Sequence, residues 1–397
     1  MPVLSLTAAW LFLLAGAARA QTQEIPTFTA ATPPSVSIGL EDGAEAYLLS
    51  GVSNALRLSD GRIVVAACGS SDLRWYDSTG RHLRTVGREG SGPGEFRSLR
   101  RIFPAGGDSI AAVDGLLGRG AGGSGLQYRV SLFAPDGELL RTISPPFRVD
   151  VLGRQADGSF TGRVLRTPPR VPGIHRRTIT LYRLDGSGVV TDSVPGLPGP
   201  DAAIAENRSM RGLRLGPSSV VAVLPDRVVF GRQDEGTYTV YSSTLRVLRR
   251  VSTITRPEPV TAAVRRQWEE TRDVLVPRGG VIGAFSEDYA PAMGAYRDAV
   301  AGVDGRLWLQ DPYRPGVYPL VWTAYEDGRA VARAELPPRF FPTQFGANWV
   351  LGVGFDDLGV ERVQLLTLRP GPLSGRNLPP RDAQHPDRPR CGVWTSR

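Results

Sequence analysis

One pattern limits what this chain can fold into more than any other: a unit of four short strand-like segments that recurs along it. Residues 54–86 hold the clearest copy, NALRLS, RIVVAAC, LRWYD and RHLRTV, joined by DG, GSSD and STG. The segments are rich in β-branched, aromatic and leucine residues, which suit a pleated, half-buried surface. The Asp60-Gly61 pair is a hairpin signal, because glycine tolerates the positive φ such turns need. Further copies read at 99–144, 149–194, 219–254 and 296–336, and a copy short by one strand at 342–368. The turn before the last strand falls at Asp77, Asp136, Asp185, Ser243 and Asp327, spaced 59, 49, 58 and 84 residues apart. The last interval is long because of an insertion at about 256–294, and without it the spacing falls to the mid-forties.

Four strands per repeat at this period is the mark of a β-propeller, and we expect an all-β chain of six four-stranded antiparallel blades over residues 36–371. The sixth copy lacks one strand, and residues 36–40 supply a candidate, so the last blade is expected to be closed by an N-terminal strand. The glycine-rich stretch GREGSGPGEF (87–96) then falls between the fourth strand of one copy and the first of the next. A phosphate-binding loop would need a lysine and a following helix, and this stretch has neither. Its glycines are expected to let the chain cross from the outer edge back to the axis, with Pro93 stiffening the crossing.

The segment DGRIVVAACGSSDLRWYDSTGRHLRTVGREGSGPGEF resembles an NHL-type repeat of a six-bladed β-propeller in the TolB-like superfamily. YRDAVAGVDGRLWLQDPYRPG and WVLGVGFDDLGVERVQLLTL are similar to stretches of exported bacterial six-bladed propellers. The resemblance implies fold rather than activity, since propellers host binding, lyase, lactonase and scaffolding roles alike.

Residues 1–20 read as a secretory signal, an apolar stretch ending in the A-x-A pattern Ala18-Arg19-Ala20. The mature chain is therefore expected to be exported, periplasmic or extracellular, without a membrane-spanning segment, and monomeric. It would comprise an extension over 21–35, the propeller, and a Pro/Arg-rich tail over 372–397. Export permits a disulfide. Cys68 and Cys391 either pair or stand as a strand-end thiol and a tail thiol.

The net charge is +8, with no lysine among the 47 basic residues. The arginines are scattered along strands and loops instead of clustering on one helix or face, which, with export, argues against nucleic acid. No cofactor is expected. His82, His175 and His385 show no metal-ligand spacing. A calcium site would need oxygen ligands from several blades, for which Asn54 and Asn348 are candidates. No G-x-S-x-G nucleophile turn occurs.

Arginines on the loops of one face remain. Crossings between blades and second-to-third-strand loops open on the same side, which places Arg88, Arg119, Arg166, Arg176, Arg177, Arg232 and Arg314 there with Tyr289, Tyr313 and Trp268. Guanidinium forks suit carboxylate or phosphate. The ligand-binding candidates are Arg88, Arg119, Arg166, Arg177, Arg232, Trp268, Tyr313 and Arg314, for a small anionic ligand or a protein partner. Within the insertion, Thr261 reads as the N-cap of a helix carrying Trp268. That helix would either pack over the propeller or act as a lid. The expected role is non-catalytic binding or scaffolding. The alternative is a calcium- or zinc-dependent lyase or lactonase at the central channel.

Overall fold

A computed structural model describes residues 24–120, 123–275, 285–312, 320–356 and 358–373. The signal region, most of the tail, Cys391, His385, Tyr313 and Arg314 lie outside the described residues. The chain is all-β apart from one α-helix and one short 3-10 turn.

Strand pairing organises the chain as consecutive antiparallel meanders. Unit I holds Val52–Arg57, Ile63–Ala67, Asp72–Tyr76 and His82–Val86. Unit II holds Leu99–Pro104, Ile110–Gly120, Gly123–Phe133 and Leu139–Ile143. Unit III holds Asp150–Arg154, Phe160–Arg166, Gly173–Leu184 and Val190–Ile204. Unit IV holds Ser219–Val223, Arg227–Arg232, Thr237–Ser242 and Val247–Ser252. Unit V holds Ala299–Ala301, Leu307–Gln310, Leu320–Glu326 and Arg329–Leu336. Unit VI begins with Phe340–Phe345, Trp349–Phe355 and Glu361–Pro370. Its fourth strand is Val36–Ile38, with Val36 opposite Leu365 and Ile38 opposite Val363.

The first strands of successive units pack side by side from I to VI, and VI packs back on I. Between neighbours lie the hydrophobic clusters, as a propeller-like arrangement requires. Trp75, Phe96 and Phe133 fill the I–II junction, and Phe103, Val151 and Phe160 the II–III junction. Between V and VI the Trp308 and Phe345 rings stack with centroids 4.3 Å apart. Burying side chains of this size contributes about 2–3 kcal/mol each.

Polar side chains add ties between the innermost strands. Asn54 Nδ2 donates to Ile102 O (3.2 Å), Gln344 Oε1 accepts from Arg57 N (2.8 Å) and Thr343 Oγ1 donates to Ala55 O (2.8 Å).

Thr27–Ala30 is a strand that the sequence did not announce. It runs parallel to Arg329–Leu336 of unit V and antiparallel to the end of Glu361–Pro370 in unit VI, joining the two into one continuous sheet. The closing strand ends at Gly39, whose φ is +127°, and a Cβ there would drive into the Glu361 carbonyl oxygen. Gly80, in the last turn of unit I at φ +89°, lies close under Val36 and Ile38, so the closing strand also packs on the neighbouring unit.

GREGSGPGEF is a crossing, as expected, and a buried arginine organises it. Arg129, from the third strand of unit II, pairs with the fully buried Asp114 at 2.9 Å. Its guanidinium donates to the carbonyls of Ser91, Gly92 and Glu95, so the loop wraps around the side chain. Asp114 also accepts from the backbone N–H of Arg97 and Ser98, where the chain enters unit II. Unit I repeats the device: Arg74 pairs with Asp72 at 2.9 Å and donates to Glu45 O and Leu48 O in the crossing that enters unit I.

Removing one partner of a buried, hydrogen-bonded pair leaves the other charge uncompensated. Arg129→Ala is expected to lower stability by about 3 kcal/mol, measured as a shift in the urea midpoint at unchanged slope, with faster proteolysis within residues 87–96.

Candidate functional site

The two faces of this propeller-like arrangement differ. One carries short turns, several built on aspartates that accept backbone N–H groups, as at Asp60, Asp77 and Asp185. The other, here the upper face, carries the crossings and the second-to-third-strand connections.

On the upper face, unit III extends into a platform. The long hairpin Gly173–Leu184/Val190–Ile204 pairs with Met210–Arg214, which pairs in parallel with Phe285–Tyr289 from the insertion. The insertion therefore joins unit III as part of its sheet. Its helix, α1 (Ala262–Leu275), starts at the expected cap: Thr261 Oγ1 accepts from Val264 N at 3.3 Å. Glu269 fastens α1 down, accepting from Arg214 Nη1 at 2.8 Å and from the Tyr289 hydroxyl. The Arg265 guanidinium lies 5.2 Å from the Tyr289 ring centroid, a cation–π contact. A short ribbon, Glu258–Pro259 with Ala292–Met293, closes the base of the insertion.

Several of the sequence-predicted arginines whose side chains are described are held by carboxylates of the chain. Arg88 is exposed and paired with Glu95 at 2.7 Å on the I–II crossing. Arg232 pairs with Asp234 (2.9 Å) and Glu235 (2.5 Å) in unit IV. Arg176 holds Asp201 (2.8 Å) and Asp234 (2.6 Å), bridging units III and IV. Burial pushes the Asp234 carboxyl up, but the Arg232 and Arg176 guanidiniums outweigh it and hold Asp234 below its ordinary value.

Much of the arginine on these loops is thus already matched by the chain's own carboxylates. Arg166 is exposed at the end of its strand, opposite Thr178. Arg177 is half-buried, its Nε has no hydrogen-bond partner, and burial pulls its pKa down. Trp268 is half-buried on α1. Arg119 pairs with Ser124 in the long hairpin of unit II, and its side chain lies outside the described residues.

The candidate oxygen ligands do not meet either. Asn54 ties two inner strands, while Asn348 is exposed in a turn of the opposite face. His82 contacts Thr85 and His175 contacts Val171 O. Among the described residues no group of three or more His, Cys, Asp or Glu is placed to hold a metal.

A different arginine group does converge, at the start of the innermost strands of units II and III. Leu99–Pro104 has a register shift between Leu99 and Arg101, which leaves Arg100 as the extra residue. Such a bulge re-aims side chains that would otherwise alternate. Both arginines consequently reach groups near unit III. Arg101 Nη2 lies 3.1 Å from Asp150 Oδ1, Arg163 Nε lies 3.6 Å from Asp150 Oδ2, and the Arg100 guanidinium sits 5.7 Å from the Tyr128 ring centroid. Burial pushes the Tyr128 hydroxyl up, and the Asp150 charge adds to this while Arg100, Arg101 and Arg163 oppose it. Sequence reasoning passed over these residues; the available signal was the arginine doublet in LRRIFP, two adjacent cations inside a first strand.

No family model matches the chain, and no curated protein matches it. Among solved structures it is similar to a protein of Bacteroides fragilis named as exported, at 14% identity and TM-score 0.46, covering 88% of this chain and all of that one. A member of the DUF4221 family from Bacteroides vulgatus is similar at 11% identity and TM-score 0.49, covering 86% and 98%. Virginiamycin B lyase from Staphylococcus aureus is similar at 9% identity and TM-score 0.41, covering 84% and 98%. No helix among the described residues is long and apolar enough to cross a membrane.

One carboxylate on the upper face has only backbone partners in its surroundings. Glu361, buried at the VI–I junction, accepts from Val52 N at 2.7 Å. Burial pushes its pKa above the ordinary 4.5, against the pull of the Val52 and Gly51 amides. A raised folded-state pKa contributes stability that is present below the unfolded value and lost as pH rises through the folded one. Glu361→Gln keeps an acceptor for the amides without the buried charge. The variant is therefore expected to gain on wild type between about pH 4 and about pH 7. Urea unfolding at the two pH values checks this, and an unchanged difference between the proteins counts against it.

Proposed function

We propose that this chain is an exported six-bladed β-propeller of the NHL/TolB-like kind that binds a small anionic ligand or a protein partner on its upper face without chemically converting it. The six-blade reading is supported by the cyclic packing of the first strands and by the Val36–Ile38 strand completing unit VI. Export is supported by the leader-like residues 1–20. The observation that carries the binding reading is the asymmetry of the faces. Short turns occupy one side, while the other holds a platform of strands and a helix fastened by the Glu269–Arg214–Tyr289 contacts. Long ordered connections on one face of a rigid scaffold are where binding surfaces are usually built.

The binding reading predicts that purified protein carries well under one equivalent of calcium or zinc per chain by elemental analysis. One equivalent surviving dialysis would instead support metal-dependent lyase or lactonase chemistry at the channel and overturn the non-catalytic reading.

We also propose that Cys68 pairs with Cys391, tying the tail to the first unit. There is no free cysteine among the described residues, and the chain has only two cysteines. Unreduced, denatured protein is expected to show no reactive thiols; a count of two would exclude the bond.

A further inference from the structure

We propose that the Arg100–Arg101–Arg163 cluster, beside Asp150 and Tyr128, is the subsite that recognises the ligand's oxyanion, a phosphate or carboxylate group. This inference rests on the binding reading above and adds its chemistry.

Three observations point to it. The first is position. Arg100 and Arg101 stand on the innermost strand of unit II, and Asp150 opens the innermost strand of unit III. This is the inner end of the upper face, below the long hairpin of unit II and beside the platform of unit III. Longer connections beside a rigid scaffold are where ligands are usually held.

The second is charge. Three guanidiniums and one carboxylate meet around Tyr128, so the group carries a net positive charge. The Arg101, Arg163 and Asp150 side chains are only 26%, 32% and 15% exposed. Partly buried charges are screened less by salt than surface ones. An entering oxyanion would meet a field that counter-ions do not erase.

The third is geometry. The guanidinium fork matches the paired oxygens of a carboxylate or phosphate. The bulge at Arg100 directs two consecutive arginines toward the same neighbourhood, which a regular strand would not do. Arg100 is steadied over the Tyr128 ring, while Arg101 and Arg163 are held in place by sharing Asp150. In this arrangement Asp150 acts as a placeholder: it orients two guanidiniums and competes with an incoming anion for them.

That competition gives a test with opposite signs. Inorganic phosphate and acetate are titrated separately into full-length mature protein by calorimetry, at ionic strength held constant with chloride. Phosphate binding with little response to acetate indicates a phosphate-bearing ligand, and the converse a carboxylate-bearing one. Arg100→Gln is expected to weaken binding of the responding anion about tenfold, the loss typical of one charge-assisted contact. Asp150→Asn is expected to tighten it, by releasing Arg101 and Arg163 from a fixed negative charge. Arg81→Gln, an exposed arginine in the last turn of unit I on the opposite face, is expected to leave it unchanged.

Thermal unfolding with and without the anion repeats the comparison for any variant too unstable for calorimetry. The proposal is overturned if neither anion binds, if Arg100→Gln and Arg81→Gln behave alike, or if Asp150→Asn binds more weakly than wild type. A ligand held on the upper face by the metal-free protein, with no response to either anion, would overturn this inference and leave the binding reading standing. A stoichiometric metal would overturn the binding reading whatever the two anions do.

Discussion

A set of separate sheets arranged side by side leaves two raw edges unless its first and last members meet. Here Val36–Ile38, from near the start of the chain, hydrogen-bonds to Glu361–Pro370, from near its end. The same contact sets the first strand of VI beside that of I, so the inner strands that open on the upper face have neighbours on both sides. The chain reinforces the joint in three ways. Thr27–Ala30 splices unit V to unit VI, Gly39 lets the closing strand leave without striking Glu361, and Thr343 and Gln344 tie the inner strand of VI to that of I. A lost closing strand would expose a ladder of unpaired groups on Glu361–Pro370, the kind of edge that invites pairing with another chain.

Arginine does the work at the crossings. Each time the chain returns from the outer edge to the axis it runs several residues without a sheet partner, and its carbonyls need donors. Arg74 and Arg129 supply them, each reaching from a third strand into a crossing and each neutralised by a buried aspartate. A guanidinium offers five donors in a plane and can serve several carbonyls at once, which an ammonium on a flexible stem does less well. The arginine-only cation set is therefore partly structural. The positive net charge overstates how much of it faces a ligand, since Arg88, Arg176 and Arg232 are also held by carboxylates of the chain.

The repeat was legible because it is local. Alternating apolar residues and Asp-Gly turns fix a four-strand unit within a few dozen positions, and the strands appear where that pattern put them. The turn in unit IV was placed at Ser243, yet it is Ser242 whose Oγ accepts from Thr244 N and Arg246 N, filling the role Asp77 plays in unit I. Thr27–Ala30 was not legible. Four residues of ordinary composition become a strand only because two distant units present their edges to them. The platform was half legible: helix α1 and its Thr261 cap follow from periodicity, but its docking onto unit III depends on Glu269 meeting Arg214 and Tyr289, contacts between segments far apart in sequence.

The same distinction explains why the arginine group between units II and III is not legible in the sequence. Loop position is the sign of function a sequence displays, yet Arg177 and Arg232 stand in strands and only Arg88 of the three lies in a crossing. Convergence, however, is set by the register of the inner strands. A one-residue bulge at Arg100 decides that Arg100 and Arg101 both reach the unit III side, and the start of the next inner strand places Asp150 between Arg101 and Arg163. A sequence shows which residues lie in a strand more readily than it shows where the ladder slips, because the slip is settled by cross-strand packing and not by the bulged residue itself. The same slip recurs in the first strands of units I, III and VI, so unit II departs from them in the residues at the slip and not in the slip itself. The arginine doublet of unit II is such a departure, set where the inner strands open toward the upper face.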